Sequence, residues 1–284
     1  MRVLILSNRR SGRGRAEGVC RAAIDALVRA GHDAAPMPPA ESDPLASAPD
    51  AVVVAGGDGS VHHLLPALAE SGIPVYHLPL GTANLFARQF GMTRSKGALV
   101  RALAAMRTTD IDLIEFNGRP AAVMLSLGPD ASVVHRLARV RTGPIRLGSY
   151  VAPFVAELRD WSPGVVSVEA DGRGVVERGA GVLVVANMRH YGGRFDPAPG
   201  ADPGDGLLDV VFLPAPGAGA FVRLAALSRL GRHLCRPGVV HARAREVRIE
   251  AGATPAQADG EAVGHPGRID VVVRPRALRV LLPG

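Results

Sequence analysis

Apolar and polar positions along the chain change their rhythm once, near Asp110. Before that point, buried-strand runs alternate with helical stripes. Arg2–Ser7 is an apolar run ending in Asn8, and Ala16–Ala30 places Val19, Ala22, Ala23, Ala26, Leu27 and Ala30 on one helix stripe that Gly31 stops. Residues 36–50, rich in Pro, Ala, Ser and Asp, predict loop with at most a short strand. Ala51–Ala55 is a second buried run, followed by Gly56-Gly57-Asp58-Gly59 and a helix face of Val61, Leu64, Leu65 and Leu68. Ile73–Leu80 reads as a further strand despite Pro74 and Pro79. After it come a Gly-Thr loop, a helix through Phe90, and a helix marked by Leu99, Ala102, Leu103 and Met106. Strand, glycine loop and helix, repeated, predict a parallel sheet with covering helices.

From Asp110 onward strands follow one another. Ile111–Phe116 and Ala121–Leu127 flank the turn Asn117-Gly118, and helical patterns interrupt around 130–159. Val165–Ala170 and Gly174–Glu177 flank Asp171-Gly172, a strong hairpin signal. Gly181–Asn187, Leu207–Leu213, Glu246–Ala251 and Arg268–Val273 are further strands, and a last one at Leu278–Leu282 can return to the first region. These predict an antiparallel, β-rich second domain. The boundaries read from this change are an α/β domain over 1–113 with a return strand at 276–284, and a β-rich domain over 114–275.

Composition narrows the classes. With 284 residues and 47% hydrophobic content the chain is an ordinary globular one, large enough for one big domain or two modest ones. Aromatics at 4% argue against a nucleic-acid surface built on stacking rings. Cys20 and Cys235 cannot make a disulfide framework or a thiolate zinc site, which fits a reduced, cytoplasmic setting. No segment approaches the ~18 apolar residues of a membrane span, and the N-terminus reads as a buried strand rather than a signal peptide. The net charge is +7 and nearly all of the basic groups are arginine, Lys96 being the only lysine. Arginine here accompanies abundant Ala, Gly and Pro as a compositional bias, and its sign also suits phosphate or anionic lipid.

Two loops carry the first candidate chemistry. Gly56-Gly57-Asp58-Gly59-Ser60 lies between a strand and a helix, where glycines let the backbone approach a ligand and the helix N-terminus favours phosphate. Asp58 there can orient a metal or a ribose hydroxyl. The plain alternative is a tight turn with Ser60 as N-cap. Pro79-Leu80-Gly81-Thr82-Ala83-Asn84 ends the next strand and starts the next helix. Carboxyl ends of parallel strands line one crevice, so Asn8 and both loops should converge on a nucleotide site. No G-x-x-x-x-G-K-[ST] occurs, and Gly12-Arg13-Gly14 lacks the third glycine of G-x-G-x-x-G.

With these residues the chain resembles, over nearly its whole length, the bacterial diacylglycerol kinase-like lipid kinases, relatives of sphingosine kinases within the NAD kinase-like superfamily. The family's first loop looks like Asn8-Arg9-Arg10-Ser11-Gly12-Arg13, its second Gly56–Ser60, its third Gly81–Arg88. Pro203-Gly204-Asp205-Gly206-Leu207-Leu208-Asp209 is similar to the family's D-G-x-L-D, Asp259-Gly260-Glu261 to its D-G-E, and Arg279–Pro283 to its closing strand.

The resemblance implies an N-terminal open α/β nucleotide-binding domain and a C-terminal antiparallel β-sandwich-like domain with ATP in a cleft between them. It implies Mg²⁺-dependent transfer of the γ-phosphoryl of ATP to a hydroxyl of diacylglycerol or a related lipid. Carried over, Asn8, Gly56, Gly57, Asp58, Gly59, Ser60, Gly81, Thr82 and Asn84 serve the nucleotide. Asp259 and Glu261 face the acceptor hydroxyl, while Asp202, Asp205 and Leu207 match a structural metal site. On their own, Asp259-Gly260-Glu261 also read as a polar hairpin turn, and the acidic loop at 202–209 as a solvated one. If the segment around Asp259 and Glu261 is extended, both carboxylates point to one side.

Departures from the family pattern are the arginines of the first loop, Ser60 for threonine, His62-His63 for Asn-Glu, and Leu85 where Asp is common. His62 and His63 read as surface or capping residues rather than metal ligands. The expected partners are a lipid substrate at a membrane surface, met by peripheral contact, and no nucleic acid; a homodimer is compatible. Two rivals stay open: a same-fold kinase of a soluble alcohol such as NAD, and a non-catalytic lipid- or nucleotide-binding module.

Overall fold

The structure, a computed structural model, describes residues 1–7, 15–37, 45–140, 147–192 and 195–284. The chain divides into two compact units. The first gathers Met1–Ile111 with Arg276–Gly284, and the second holds most of the residues between.

In unit one, β1 (Arg2–Ser7), α1 (Arg15–Arg29), β2 (Asp33–Pro36), β3 (Ala51–Gly56), α2 (Asp58–Leu68), β4 (Val75–Pro79), α3 (Leu85–Gln89) and α4 (Lys96–Ala105) follow in order. The strands run parallel in the order β2-β1-β3-β4, and Val280, near the chain's end, pairs in parallel with Val75. Every residue of β3 and β4 is buried, the burial expected of strands covered on both faces. Val61, Leu64, Leu65 and Leu68 are the buried stripe of α2. The strand predicted at Ile73–Leu80 is shorter, Val75–Pro79. Ser95 caps α4, its side chain accepting from Ala98 N–H at 3.2 Å.

Unit two begins within β5 (Thr108–Phe116), followed by β6 (Arg119–Ala121), β7 (Met124–Leu127), α5 (Pro129–Val140), α6 (Val151–Arg159), β8 (Gly164–Ala170) and β9 (Arg173–Ala186). Then come β10 (Leu208–Pro214), α7 (Ala218–Ser228), β11 (Val240–Ala244), β12 (Glu246–Gly252), β13 (Ala256–Ala258), β14 (Glu261–Gly264) and β15 (Gly267–Leu281). Its strands pair antiparallel along β14-β13-β7-β9-β8-β12-β15, with β10 joining β9 to β11. The alternating burial of β8 and β12 sends Val166, Val168, Val247 and Ile249 into a core shared with Leu183, Val185 and Phe212.

Five predicted strands are redrawn, and one helix is added. Gly174–Glu177 and Gly181–Asn187 are one strand, β9, passing through Arg178 at φ 44° where its register with β8 shifts. Arg268–Val273 and Leu278–Leu282 are likewise one strand, β15. Ala121–Leu127 breaks into two at Ala122-Val123, where the backbone N–H groups turn to a side-chain carboxylate. Helix α7 had no sequence signal beyond scattered apolar residues, and its N-cap Gly217 offers no side chain.

Candidate functional site

The glycine loops of unit one are set by strand register. Gly56 pairs with Pro79 across β3 and β4, so the residues that leave those strands leave side by side. A Cβ on Gly81 would lie 2.6 Å from Gly57 Cα and 2.9 Å from Asn84 Oδ1, so Gly81 accepts no side chain without the backbone moving. Leu80 N–H donates to Gly56 O at 2.7 Å. Asn84, at φ 49°, folds back on Gly81: its Oδ1 accepts from Gly81 N–H and its Nδ2 donates to Gly81 O, both at 2.8 Å.

Asp58 connects the two loops, its Oδ1 accepting from Phe86 N–H at 3.1 Å in the first turn of α3. A negative side chain there suits a helix N-terminus. Helix α2 starts on Gly57 with no side-chain cap, so Ser60, buried in the first turn, is not its N-cap. No side-chain hydrogen bond caps the helix N-terminus, and its first-turn acid, Asp58, is turned to Phe86 N–H; an uncapped start is the arrangement that admits an anion. Thr82 is exposed on the Gly81 loop, and Gly56 is buried in the strand end beneath it. His77, fully buried, sits under Gly56, whose carbonyl lies 3.0 Å from its Nε2. A carbonyl only accepts, so Nε2 carries the proton; burial pushes the ring's pKa down and keeps it neutral. His62 is buried beside exposed His63, with ring centroids 5.9 Å apart, and Leu85 is buried at the start of α3. Asn8 and the rest of the first loop lie outside the described residues.

In unit two Asp259-Gly260-Glu261 is a turn rather than an extended segment. Asp259 and Gly260 have φ 52° and 86°, and Gln257 and Ala258 of β13 pair with Ala262 and Glu261 of β14. The two carboxylates therefore diverge in role. Asp259 Oδ2 accepts from Ala122 N–H at 2.8 Å, and its Oδ1 from Val123 and Met124 N–H at 2.8 and 3.0 Å. Those three donors are buried, and the carboxylate is what satisfies them where β6 and β7 part. Glu261 is half-buried at the start of β14.

A buried polar chain holds this turn from beneath. Gly260 N–H donates to Gln257 Oε1 at 2.7 Å, Gln257 Nε2 donates to Ser126 Oγ at 2.5 Å, and Ser126 Oγ donates to Asp130 Oδ2. Tyr191 OH donates to the same oxygen at 2.8 Å, and Asp130 Oδ1 is buried with no partner. Burial pushes the Asp130 carboxyl up and Tyr191 well up, so Asp130 holds its proton beyond the ordinary carboxylate range. Sequence reasoning missed this chain. Its one signal was Gln257, polar inside a strand whose other positions are buried alanines.

The acidic loop is elsewhere in unit two. Asp202 Oδ1 accepts from Gly204 N–H at 3.0 Å and Asp205 Oδ1 from Leu207 N–H at 3.0 Å, while Asp205 Oδ2 is paired with Arg243. Gly206 N–H donates to Asp112 Oδ2 at 2.7 Å. Buried Asp209 contacts His241 Nε2 at 2.6 Å. Hard oxygen donors suit Mg²⁺, yet a guanidinium occupies Asp205, and no cluster of three acid, His or Cys ligands forms among the described residues. As folded, Asp202, Asp205 and Leu207 shape a loop and do not fit a cation cage.

Residues 2–116 match the model of the diacylglycerol kinase catalytic domain, and residues 123–282 that of the YegS C-terminal NAD kinase beta sandwich-like domain. A Mycobacterium tuberculosis protein named diacylglycerol kinase is 32% identical over 300 residues, covering 99% of this chain and 95% of the relative. A Pseudomonas fluorescens protein named "Probable lipid kinase YegS-like" is 31% identical over 84% of this chain and 79% of its own. A crystal structure described as a diacylglycerol kinase from Bacillus anthracis superposes with a TM-score of 0.71 at 18% identity, over 99% and 96% of the two chains, and shares the fold.

Proposed function

The chain belongs to the diacylglycerol kinase family and is an enzyme of the lipid kinase type, and from that premise we propose that it transfers the γ-phosphoryl of ATP to the hydroxyl of diacylglycerol or a related lipid. The observation that carries the nucleotide half is the approach of Gly57 to Gly81 at the uncapped start of α2. A side-chain-free floor lets phosphate oxygens reach backbone N–H groups. Gly57, Asp58, Gly59, Ser60, Gly81, Thr82 and Asn84 are the residues assigned to it, with Asn8 from the first loop. Asp58 is assigned the position of the loops, through Phe86.

Phosphoryl transfer needs little covalent help from the protein beyond placement, charge neutralisation and an acceptor for the hydroxyl proton. Glu261 is assigned that proton. As the acceptor oxygen bonds to the γ-phosphorus, its proton passes to the Glu261 carboxylate, the bond from γ-phosphorus to the bridging oxygen breaks, and ADP leaves. Asp259, committed to three backbone donors, is assigned the placement of the turn rather than proton transfer. Magnesium carried with ATP would supply the remaining neutralisation of phosphate charge.

Incubating the purified chain with γ-labelled ATP, Mg²⁺ and either diacylglycerol micelles or NAD, then separating products, tests this reading. Label should enter the lipid phase. Label in NAD alone supports the soluble-alcohol rival, and label in neither acceptor, with nucleotide binding intact, supports a binding module.

A further inference from the structure

Helix α6 turns three apolar residues outward on one face, Val151, Phe154 and Val155, with Val151 and Val155 61% and 57% exposed. Its carboxylate Glu157 is turned inward against Arg136 at 3.3 Å. Helix α7 meets α6 through aromatic rings: the Phe221 centroid is 6.0 Å from Phe154 and 5.4 Å from Trp161. Beside that contact α7 exposes Val222, and Leu230, just past its C-terminus, is 67% exposed, the most open of the large apolar side chains among the described residues. Residues 214–245 contain six arginines and no Asp or Glu. Arg223, Arg229, Arg232 and Arg236 of this segment are exposed, and none is paired with a carboxylate among the described residues. Arg229 lies over the Phe195 ring at 5.9 Å.

Exposed apolar side chains gathered on one face, rather than scattered singly, mark an interaction surface. Interleaving with unpaired arginines selects the partner. An apolar protein groove would leave the guanidinium groups uncompensated, whereas an anionic bilayer offers acyl chains to the apolar residues and phosphates to the arginines in one plane. We propose that the face formed by α6, α7 and the turn after α7 docks this protein on an anionic lipid bilayer, with Val151, Val155, Val222 and Leu230 entering the interface and Arg229, Arg232 and Arg236 meeting lipid phosphates. The inference rests on the reading that the acceptor is a lipid.

Co-sedimentation of the full chain with phosphatidylglycerol-containing vesicles, against pure phosphatidylcholine vesicles, tests it without ATP or turnover. Each arginine near an anionic surface is worth about fivefold in partitioning. The triple variant Arg229→Gln/Arg232→Gln/Arg236→Gln should lose at least roughly tenfold on anionic vesicles and most of the salt dependence. Val155→Ser/Leu230→Ser, both at exposed sites and so expected to fold, should weaken binding at every salt concentration. Both variants should phosphorylate a water-soluble short-chain diacylglycerol at the wild-type rate. Wild-type-like vesicle binding by both variants overturns the proposal, as does equal binding of the unaltered chain to the two vesicle types. A dimer in sedimentation equilibrium that Val155→Ser/Leu230→Ser dissolves also overturns it, since a second copy would then cover the face. A chain that docks as described yet phosphorylates no acceptor leaves docking standing and removes the kinase reading.

Discussion

The two candidate regions solve the same problem, a fixed backbone, by opposite means. The glycine loops of unit one are held by strand register and by missing side chains: Gly57 and Gly81 face each other because Gly56 and Pro79 are paired. The Asp259-Gly260-Glu261 turn of unit two is held by side chains, Asp259 gripping 122–124 and the Gln257–Ser126–Asp130 chain gripping Gly260. A site made of absence fails when atoms are added, and one made of contacts fails when atoms are removed. Their buried titratable groups differ as well: burial lowers the pKa of the His77 imidazole in the first and raises that of the Asp130 carboxyl in the second.

The sharpest way to break the second half of this contrast is to separate its two carboxylates. Glu261→Gln should lower kcat by about 10²–10⁴ while leaving stability unchanged. Asp259→Ala should lower both, because three buried N–H groups lose their acceptor at about 1–3 kcal/mol each. Turnover on a lipid acceptor and thermal unfolding distinguish them; near-normal kcat in Glu261→Gln places the proton acceptor elsewhere. Next, Gly81→Val forces the crossing apart, at about 1–3 kcal/mol for the misfit. Nucleotide titration should show ATP affinity reduced by about tenfold or more. Gly174→Ala, into open space on β9, is the control that changes neither.

A smaller effect is expected from the buried chain. Gln257→Leu removes the link to Gly260, and a buried hydrogen bond of about 1–2 kcal/mol should appear as roughly a tenfold fall in kcat with ATP affinity intact. The smallest prediction concerns pH. In unit one, the His77 ring in the folded chain takes a proton at lower pH than in the unfolded chain. Below the ordinary imidazole range the unfolded state therefore binds more protons, and stability falls on acidification. In unit two, folded Asp130 keeps its proton to higher pH than the unfolded chain does. Stability there falls as pH rises from the ordinary carboxyl range to the raised one. Hydrogen exchange followed amide by amide should show the two units changing in opposite directions. Asp130→Asn should flatten only the second slope, at most about 1.4 kcal/mol per pH unit.

What the sequence revealed follows the reach of each signal. The parallel strands of unit one and the stripe of α2 were legible because burial on two faces leaves continuous apolar runs and burial on one leaves a helical period. Both glycine loops were legible as motifs. The break at Ala122-Val123 was not, because its cause, Asp259, is 136 positions away along the chain from Val123. The same distance hid what Asp259 grips: residue type singles out Glu261 as the longer-reaching acid, but not the three backbone N–H groups that hold Asp259 in a turn at positive φ. Arg178 and Arg276 sit at φ 44° and 53° in mid-strand, where no residue type announces a break in regularity.

Strand β15 carries a consequence for how the molecule is made. Its first residues pair with β12, but Val280 lies against β4, Ala277 O receives Glu70 N–H at 2.7 Å, and Leu282 N–H reaches Arg107 O at 2.8 Å. Arg279 also binds Asp110 at 2.8 Å. Domains usually fold in the order in which they leave the ribosome. Here the unit whose strands are synthesised first waits for residues 276–282, translated after the whole of unit two, before its sheet can close. A product truncated before Arg276 would leave an open parallel edge beside β4, a mark for quality-control proteases.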